Sequence, residues 1–209
     1  MRIVNEGWPF IIPLLSISLF LLILGKCMIL LVIGIIFFIL ACFCAYFFRD
    51  PKVNIIKNDN VILSPCNGTV LEVNINNTNT EVFIRVFLSI FDIHLQRSPV
   101  SGQVTNIEYK SGKFFNAMDK RAHIYNEQNI ITIKNNTGKY YIKQIAGILA
   151  RRCITWVKLG DVLKQGDKIG MIKFGSQVDL YMPNNVNIKV KKGDKVISGI
   201  TVIAVKINL

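Results

Sequence analysis

The stretch Lys173-Phe174-Gly175-Ser176-Gln177-Val178-Asp179 joins a serine directly to a preceding glycine. A serine hydroxyl can attack the carbonyl before its own nitrogen and move the chain from amide to ester. Glycine, with no Cβ, best permits that strained approach. Elimination from the ester starts a new chain with a pyruvoyl group, an electrophilic ketone made from Ser176 itself. Gly-Ser is also a common turn dipeptide. The rest of the chain has to decide between chemistry and a turn.

Two histidines are present, His94 and His123. In Phe91-Asp92-Ile93-His94, alternation puts Asp92 and His94 on one face of an extended strand. Such a pair can orient an imidazole and raise its basicity; a histidine satisfied by local hydrogen bonds is the alternative. His123 follows Phe114-Phe115-Asn116 in a segment without alternation, which reads as a long loop. Loops on a rigid scaffold often carry binding residues, and the Phe114-Phe115 pair suits contact with lipid, closure over a site or cover for a core. Arg151-Arg152 suits bidentate recognition of carboxylate or phosphate, or a solvated surface. Five cysteines show no CxxC and no metal-like Cys/His spacing, so neither a zinc site nor a disulfide framework is expected. A reducing compartment, most simply the cytosol, follows for the domain that carries the chemistry.

The elements that must position these residues fall into two parts. Hydrophobic residues make up 51% of the 209-residue chain, and the excess lies at the N-terminus. Residues 8–48 are almost wholly apolar, with Lys26 the lone charge. Segments 9–25 and 27–48 predict a helical hairpin, transmembrane or re-entrant, the first segment short and holding Pro13. Arg2 flanks its entrance; Arg49 and Lys52 flank its exit. The positive-inside rule then puts both ends, and the following domain, on the cytoplasmic side of the cell membrane. Of the net charge of +12, the part after the hairpin holds nearly all. That suits an anionic lipid surface. Scattered lysines without aromatic interleaving, and no known motif, argue against nucleic acid.

From residue 61 the pattern changes to short β-rich runs: 61–63, 69–75, 81–90, 102–109, 129–134, 139–148, 153–158, 168–173, 177–181 and 200–207. The fold class expected is mainly β. Ser64-Pro65-Cys66-Asn67-Gly68-Thr69-Val70 echoes Ser98-Pro99-Val100-Ser101-Gly102-Gln103-Val104, and Gly166-Asp167-Lys168-Ile169 echoes Gly193-Asp194-Lys195-Val196. These turns resemble those of barrel-sandwich folds of the lipoyl/biotinyl kind. No exposed lysine with acidic neighbours suggests a lipoyl carrier.

In order and with compatible spacing, the chain carries Phe47-Phe48-Arg49-Asp50-Pro51, Ser64-Pro65-x-x-Gly68 and Asp92-Ile93-His94-Leu95-Gln96-Arg97-Ser98-Pro99. It continues with Asn126-Glu127-x-Asn129, Gln144-Ile145-Ala146-Gly147-x-Leu149-Ala150-Arg151-Arg152 and Gly170-Met171-Ile172-Lys173-Phe174-Gly175-Ser176-x-Val178-Asp179. Each piece is weak alone. As an ordered set from about residue 47 to the end, they resemble the short archaeal/bacterial type of phosphatidylserine decarboxylase proenzyme.

The resemblance implies self-cleavage between Gly175 and Ser176 into a β chain, 1–175, and an α chain, 176–209, which stay together as a heterodimer and can assemble further. Ser176 becomes the covalent pyruvoyl cofactor; no metal or external cofactor is implied. A Schiff base between that ketone and phosphatidylserine loses carbon dioxide, and phosphatidylethanolamine is released. His94 matches the family histidine near the nascent pyruvoyl, a base in maturation and a proton donor afterwards. Asn67 stands where the family carries an aspartate, in Ser-Pro-Ala-Asp-Gly. An amide can hold an imidazole tautomer but cannot stabilise an imidazolium by charge. In a serine-protease triad that change costs about four orders of magnitude in rate. The domains implied are a membrane hairpin, 1–48, and a decarboxylase domain, 49–209. The competing readings are an unprocessed, membrane-anchored β-sandwich that binds or scaffolds, and a pyruvoyl decarboxylase of a soluble amino acid.

Overall fold

The computed structural model describes residues 2–25, 27–75, 81–116, 119, 121–147, 152–173 and 176–207. The chain divides into two units, Met1–Lys52 and Val53–Leu209.

The first unit opens with β1 (Arg2–Ile3) and a 3-10 turn (Asn5–Gly7), followed by α1 (Trp8–Leu24) and α2 (Met28–Phe47). β2 (Arg49–Asp50) closes it by pairing antiparallel with β1. Gly25 ends α1, its N–H reaching the Leu21 carbonyl, and α2 starts three residues later. The helices pack closely: Ser18 Oγ donates to the Gly34 carbonyl at 2.8 Å. A Cβ on Gly34 would sit 3.0 Å from Leu22 Cγ. Both helices are long and apolar enough to cross a membrane. At 1.5 Å per residue, α2 spans about 30 Å and α1 about 26 Å.

The second unit is mainly β, as the alternating runs predict. Its elements are β3 (Val61–Leu63), β4 (Gly68–Ile75), β5 (Glu81–Leu88), β6 (Leu95–Arg97), β7 (Gly102–Lys110), α3 (Ala122–Tyr125), β8 (Gln128–Asn135) and β9 (Gly138–Ala146). β10 (Cys153–Thr155), β11 (Val162–Leu163), β12 (Lys168–Ile172), β13 (Ser176–Pro183), β14 (Val186–Ile188), β15 (Lys195–Val196) and β16 (Val202–Lys206) complete it. One sheet runs β11-β7-β8-β9-β13-β5-β4-β15; two smaller ones run β10-β12-β6 and β14-β16-β3. The named pairings are antiparallel, and the inward residues, such as Ile84, Ile131, Ile142, Val178 and Leu180, form one core.

The sequence echoes are structural repeats. Ser64 Oγ donates to the Cys66 carbonyl, and Ser98 Oγ to the Val100 carbonyl. β4 and β7 then start at Gly68 and Gly102, and each shifts register just after Val70 or Val104. Gly166 and Gly193 sit at positive φ, and so does Gly160, in a third turn of the same kind. In each, the next aspartate caps a backbone N–H three residues earlier.

The reading of 81–90 as one strand needs correction at its end. β5 stops at Leu88, and residues 90–92 form a turn. Asp92 Oδ2 accepts the Ser89 N–H at 2.8 Å and Ser89 Oγ accepts the Phe91 N–H at 3.2 Å. These local bonds displace the sheet ladder. Asp92 and His94 therefore do not share a strand face.

Candidate active site

Ser176 opens β13, the strand between β9 and β5 in the large sheet. Its register partners are Ala146 and Leu88. It shares the inward parity of Val178, Leu180 and Met182, so its side chain faces the core. Ser176 is 0% exposed, and its Oγ has no hydrogen-bond partner among the described residues. A buried hydroxyl left unpaired costs about 1–3 kcal/mol. Gly175, the other half of the expected scissile bond, lies outside the described residues, as does Phe174.

His94 is also fully buried, just before β6. Its Nδ1 is 2.9 Å from the main-chain carbonyl of Asp92. A carbonyl only accepts, so Nδ1 carries the hydrogen, and in the neutral ring Nε2 is the basic nitrogen. Asp92 thus meets His94 through its backbone, while its carboxylate caps the turn. The His94 carbonyl accepts the Ile172 N–H at 3.1 Å. Ile172 precedes Ser176 by four residues, a chain length that spans at most about 14 Å.

A chain of primary amides supports this corner. Gln96 Nε2 donates to the His94 carbonyl at 2.8 Å, and Gln144 Nε2 donates to Gln96 Oε1 at 2.8 Å. Asn129 donates to Thr155 Oγ1, while its buried Oδ1 has no partner among the described residues. Gly170 leaves the room this requires: a Cβ there would meet the Gln144 amide at 3.0 Å and the Ile154 carbonyl at 2.2 Å. Asn126 clamps the neighbouring loop, donating to the Ala146 and Phe115 carbonyls at 2.7 and 2.8 Å. Glu127 is buried beside it. No chemical role was read for these residues from sequence. The available signal was a polar side chain at an inward strand position, as with Gln144 between Ile142 and Ala146.

Asn67 belongs to the first Ser-Pro turn. Its Oδ1 accepts the Ser198 N–H at 3.1 Å. The equivalent residue of the second repeat, Ser101, accepts the Gln165 N–H through Oγ at 3.1 Å. Asn67 therefore shares a turn-bracing acceptor role with its counterpart.

Neither buried Cys66 nor half-buried Cys153 is a ready nucleophile. Burial pushes Cys66 well up, and the charges of Asp92 and Asp179 add to the effect. Burial and then the charge of Glu127 raise Cys153. Beyond these, no group of three metal-ligating side chains occurs among the described residues.

On the outer face of the sheet, Arg85 forks onto Asp179, with Nε–Oδ1 and Nη2–Oδ2 both 3.1 Å, and reaches Glu72 at 2.7 Å. Gln177 adds a 2.6 Å bond to Asp179. The Arg85 bonds tie β13 across to β5 and β4. His123 lies in α3 and not in an open loop; its carbonyl accepts Lys143 Nζ and Gln128 Nε2. Arg152 is exposed, and its carbonyl accepts the Lys173 N–H. Arg151 lies outside the described residues.

The family model described as Phosphatidylserine decarboxylase matches residues 40–204. A phosphatidylserine decarboxylase proenzyme of Carboxydothermus hydrogenoformans is 44% identical over 177 residues, 82% of this chain and 83% of its own. The proenzyme of the same description from Geotalea uraniireducens is 34% identical, covering 97% of this chain and 96% of its own. A putative archaetidylserine decarboxylase proenzyme of Methanocaldococcus jannaschii is 39% identical, covering 80% and 91%.

Proposed function

This chain belongs to the phosphatidylserine decarboxylase family, and from that premise we propose that Ser176 is its self-made catalytic centre. The enzyme decarboxylates phosphatidylserine. The relatives' names differ in the lipid backbone but share the serine headgroup, and the headgroup carries the reacting carboxylate.

One observation carries the reading: a fully buried serine hydroxyl without a partner among the described residues opens the strand that follows Gly175. Its unmet hydrogen bond and its apolar strand neighbours, Ala146 and Leu88, fit conversion to a ketone at the same place. In maturation, Ser176 Oγ bonds to the Gly175 carbonyl carbon as the Gly175–Ser176 amide breaks, leaving an ester. His94 takes the hydroxyl proton on Nε2 and returns it to the departing nitrogen. Loss of the Ser176 α-proton then breaks the Cβ–O bond and frees the β chain as a carboxylate. Hydrolysis of the resulting enamine releases ammonia.

The pyruvoyl ketone supplies an electrophile for the substrate's primary amine and a sink for the electron pair left as carbon dioxide departs. The protein's own residues do the rest. The Asp92 carbonyl keeps a His94 proton on Nδ1, which leaves Nε2 as the basic nitrogen of the neutral tautomer. The Gln96–Gln144 amide chain fixes the His94 backbone. The inward residues of β13 and β9 exclude water. After cleavage the α chain keeps β13 between β5 and β9, with Asp179 held by Arg85, which accounts for a stable heterodimer. The two apolar helices support a membrane location, and the basic flanks of the hairpin support a cytoplasmic domain.

The test is carbon dioxide release from carboxyl-labelled phosphatidylserine by the full chain. Release by the native protein and none by Ser176→Ala is expected. Equal release by both contradicts the reading.

A further inference from the structure

We propose that the end of the β-domain carrying Ser176 is itself a docking face for an anionic phospholipid bilayer, formed by Phe91, Tyr109, Phe114, Ile124 and Tyr125. This rests on the lipid-decarboxylase reading above and names the surface through which that site meets its substrate.

The register brings these segments to one end. Leu88, a partner of Ser176, leads directly into the turn bearing Phe91. On the other side Ala146, also a partner of Ser176, is held by the Asn126 side chain. Asn126 closes the connection from β7 to β8, whose ends are tied by Lys113 N–H to the Tyr125 carbonyl at 2.7 Å and Glu127 N–H to the Lys113 carbonyl at 3.0 Å. Phe91, just past β5, and Tyr125, beside the Asn126 that holds Ala146, thus belong to the end of the sheet at which Ser176 opens β13.

The chemistry of this end differs from the rest of the domain. Phe91, Tyr109, Phe114 and Tyr125 are 63%, 60%, 39% and 54% exposed, and Ile124 is 61% exposed. They include every large exposed aromatic side chain among the described residues of Val53–Leu209. At the far end of the sheet the surface hollow is lined mostly by polar residues such as Asp59, Asn60, Asn135 and Asn185, with Lys206 and Ile207 beside them and no aromatic side chain. Exposed aromatic rings concentrated in one place favour the bilayer interface, where an apolar body and a polar edge are both accommodated. The rim is basic. Lys110, Lys113, Arg121 and Arg152 are exposed. Glu108 and Asp119 offset Lys110 and Arg121. Lys113 and Arg152 have no carboxylate partner among the described residues. An aromatic patch rimmed by net positive charge complements an anionic lipid surface.

The test uses the full chain reconstituted in vesicles containing phosphatidylglycerol. Phe91→Trp supplies a fluorescent probe, and brominated lipid is the quencher. Ile124→Asp and Tyr125→Asp, combined, are assayed on bilayer-embedded phosphatidylserine and on a short-chain, monomeric phosphatidylserine. Docking predicts quenching of the introduced tryptophan beyond that of the native protein. It also predicts a tenfold or greater loss on bilayer substrate, with the monomeric rate kept within twofold. No added quenching, or an equal effect of the double variant on both substrates, overturns the proposal. A native protein inactive on both substrates refutes the decarboxylase reading instead, and the quenching result still decides docking.

Discussion

His94 Nδ1 lies 2.9 Å from the carbonyl oxygen of Asp92, so main chain and not carboxylate orients the imidazole. An Asp92→Asn variant should therefore mature at close to the native rate. Its side chain can still accept the Ser89 N–H, and the carbonyl is unchanged. His94→Ala should stop maturation. The appearance of the 34-residue fragment on a gel reads both. A loss of about four orders of magnitude in Asp92→Asn, as for a triad carboxylate, would show that the carboxylate matters.

Ser176→Ala removes a hydroxyl buried without a partner among the described residues. Cleavage should cease, yet the fold should gain up to about 1 kcal/mol, or ~2–4 °C in Tm. The comparison is thermal unfolding against another unprocessed variant, such as His94→Ala. A clear loss of stability in Ser176→Ala would mean that the hydroxyl is satisfied.

Asn67→Asp should speed maturation several-fold. A carboxylate oxygen can keep the Ser198 N–H bond that Asn67 makes. Its charge would also favour the imidazolium that forms when His94 takes the serine proton. Equal fragment-release rates in both proteins would contradict this.

Stability should fall on the alkaline side. Burial raises Cys66 and Cys153, and burial with the Asp179 charge lifts Tyr181 to about 12. Their neutral forms are favoured in the folded state. The unfolded chain ionises first, from about pH 8.5 for thiols and about 10 for tyrosine. The advantage is intact below those values and is lost as pH rises towards the folded ones. Denaturant midpoints should hold from pH 6 to 8 and then decline. Tyr181→Phe should flatten the part between pH 10 and 12; an unaltered slope there would count against the Tyr181 shift.

Much of the fold was legible because its signals are local. Ser-Pro-x-x-Gly and Gly-Asp are turn chemistries, and both recur as turns in the structure. The inward residues of β5 and β13 alternate as a strand with one core face requires. Strands of two or three residues, such as β6 and β15, are too short to show a period. The Asp92 turn was missed because a side-chain cap broke an otherwise extended pattern. Arg85 and Asp179 are 94 residues apart, and only sheet register makes them neighbours. The amides of Gln96, Gln144 and Asn129 likewise meet across strands of two sheets. At the candidate site, Ser176 and His94 stood out in the sequence as parts of motifs. The acceptor that orients His94 did not, because it is a backbone carbonyl and any residue type supplies one.

The most direct test of the central claim is the intact mass of the purified protein. The account predicts two chains, the smaller comprising residues 176–209 and lighter by one ammonia than a serine-started fragment, with a terminus that borohydride reduces. A single chain of 209 residues, or a fragment that begins with an unchanged serine, would contradict it.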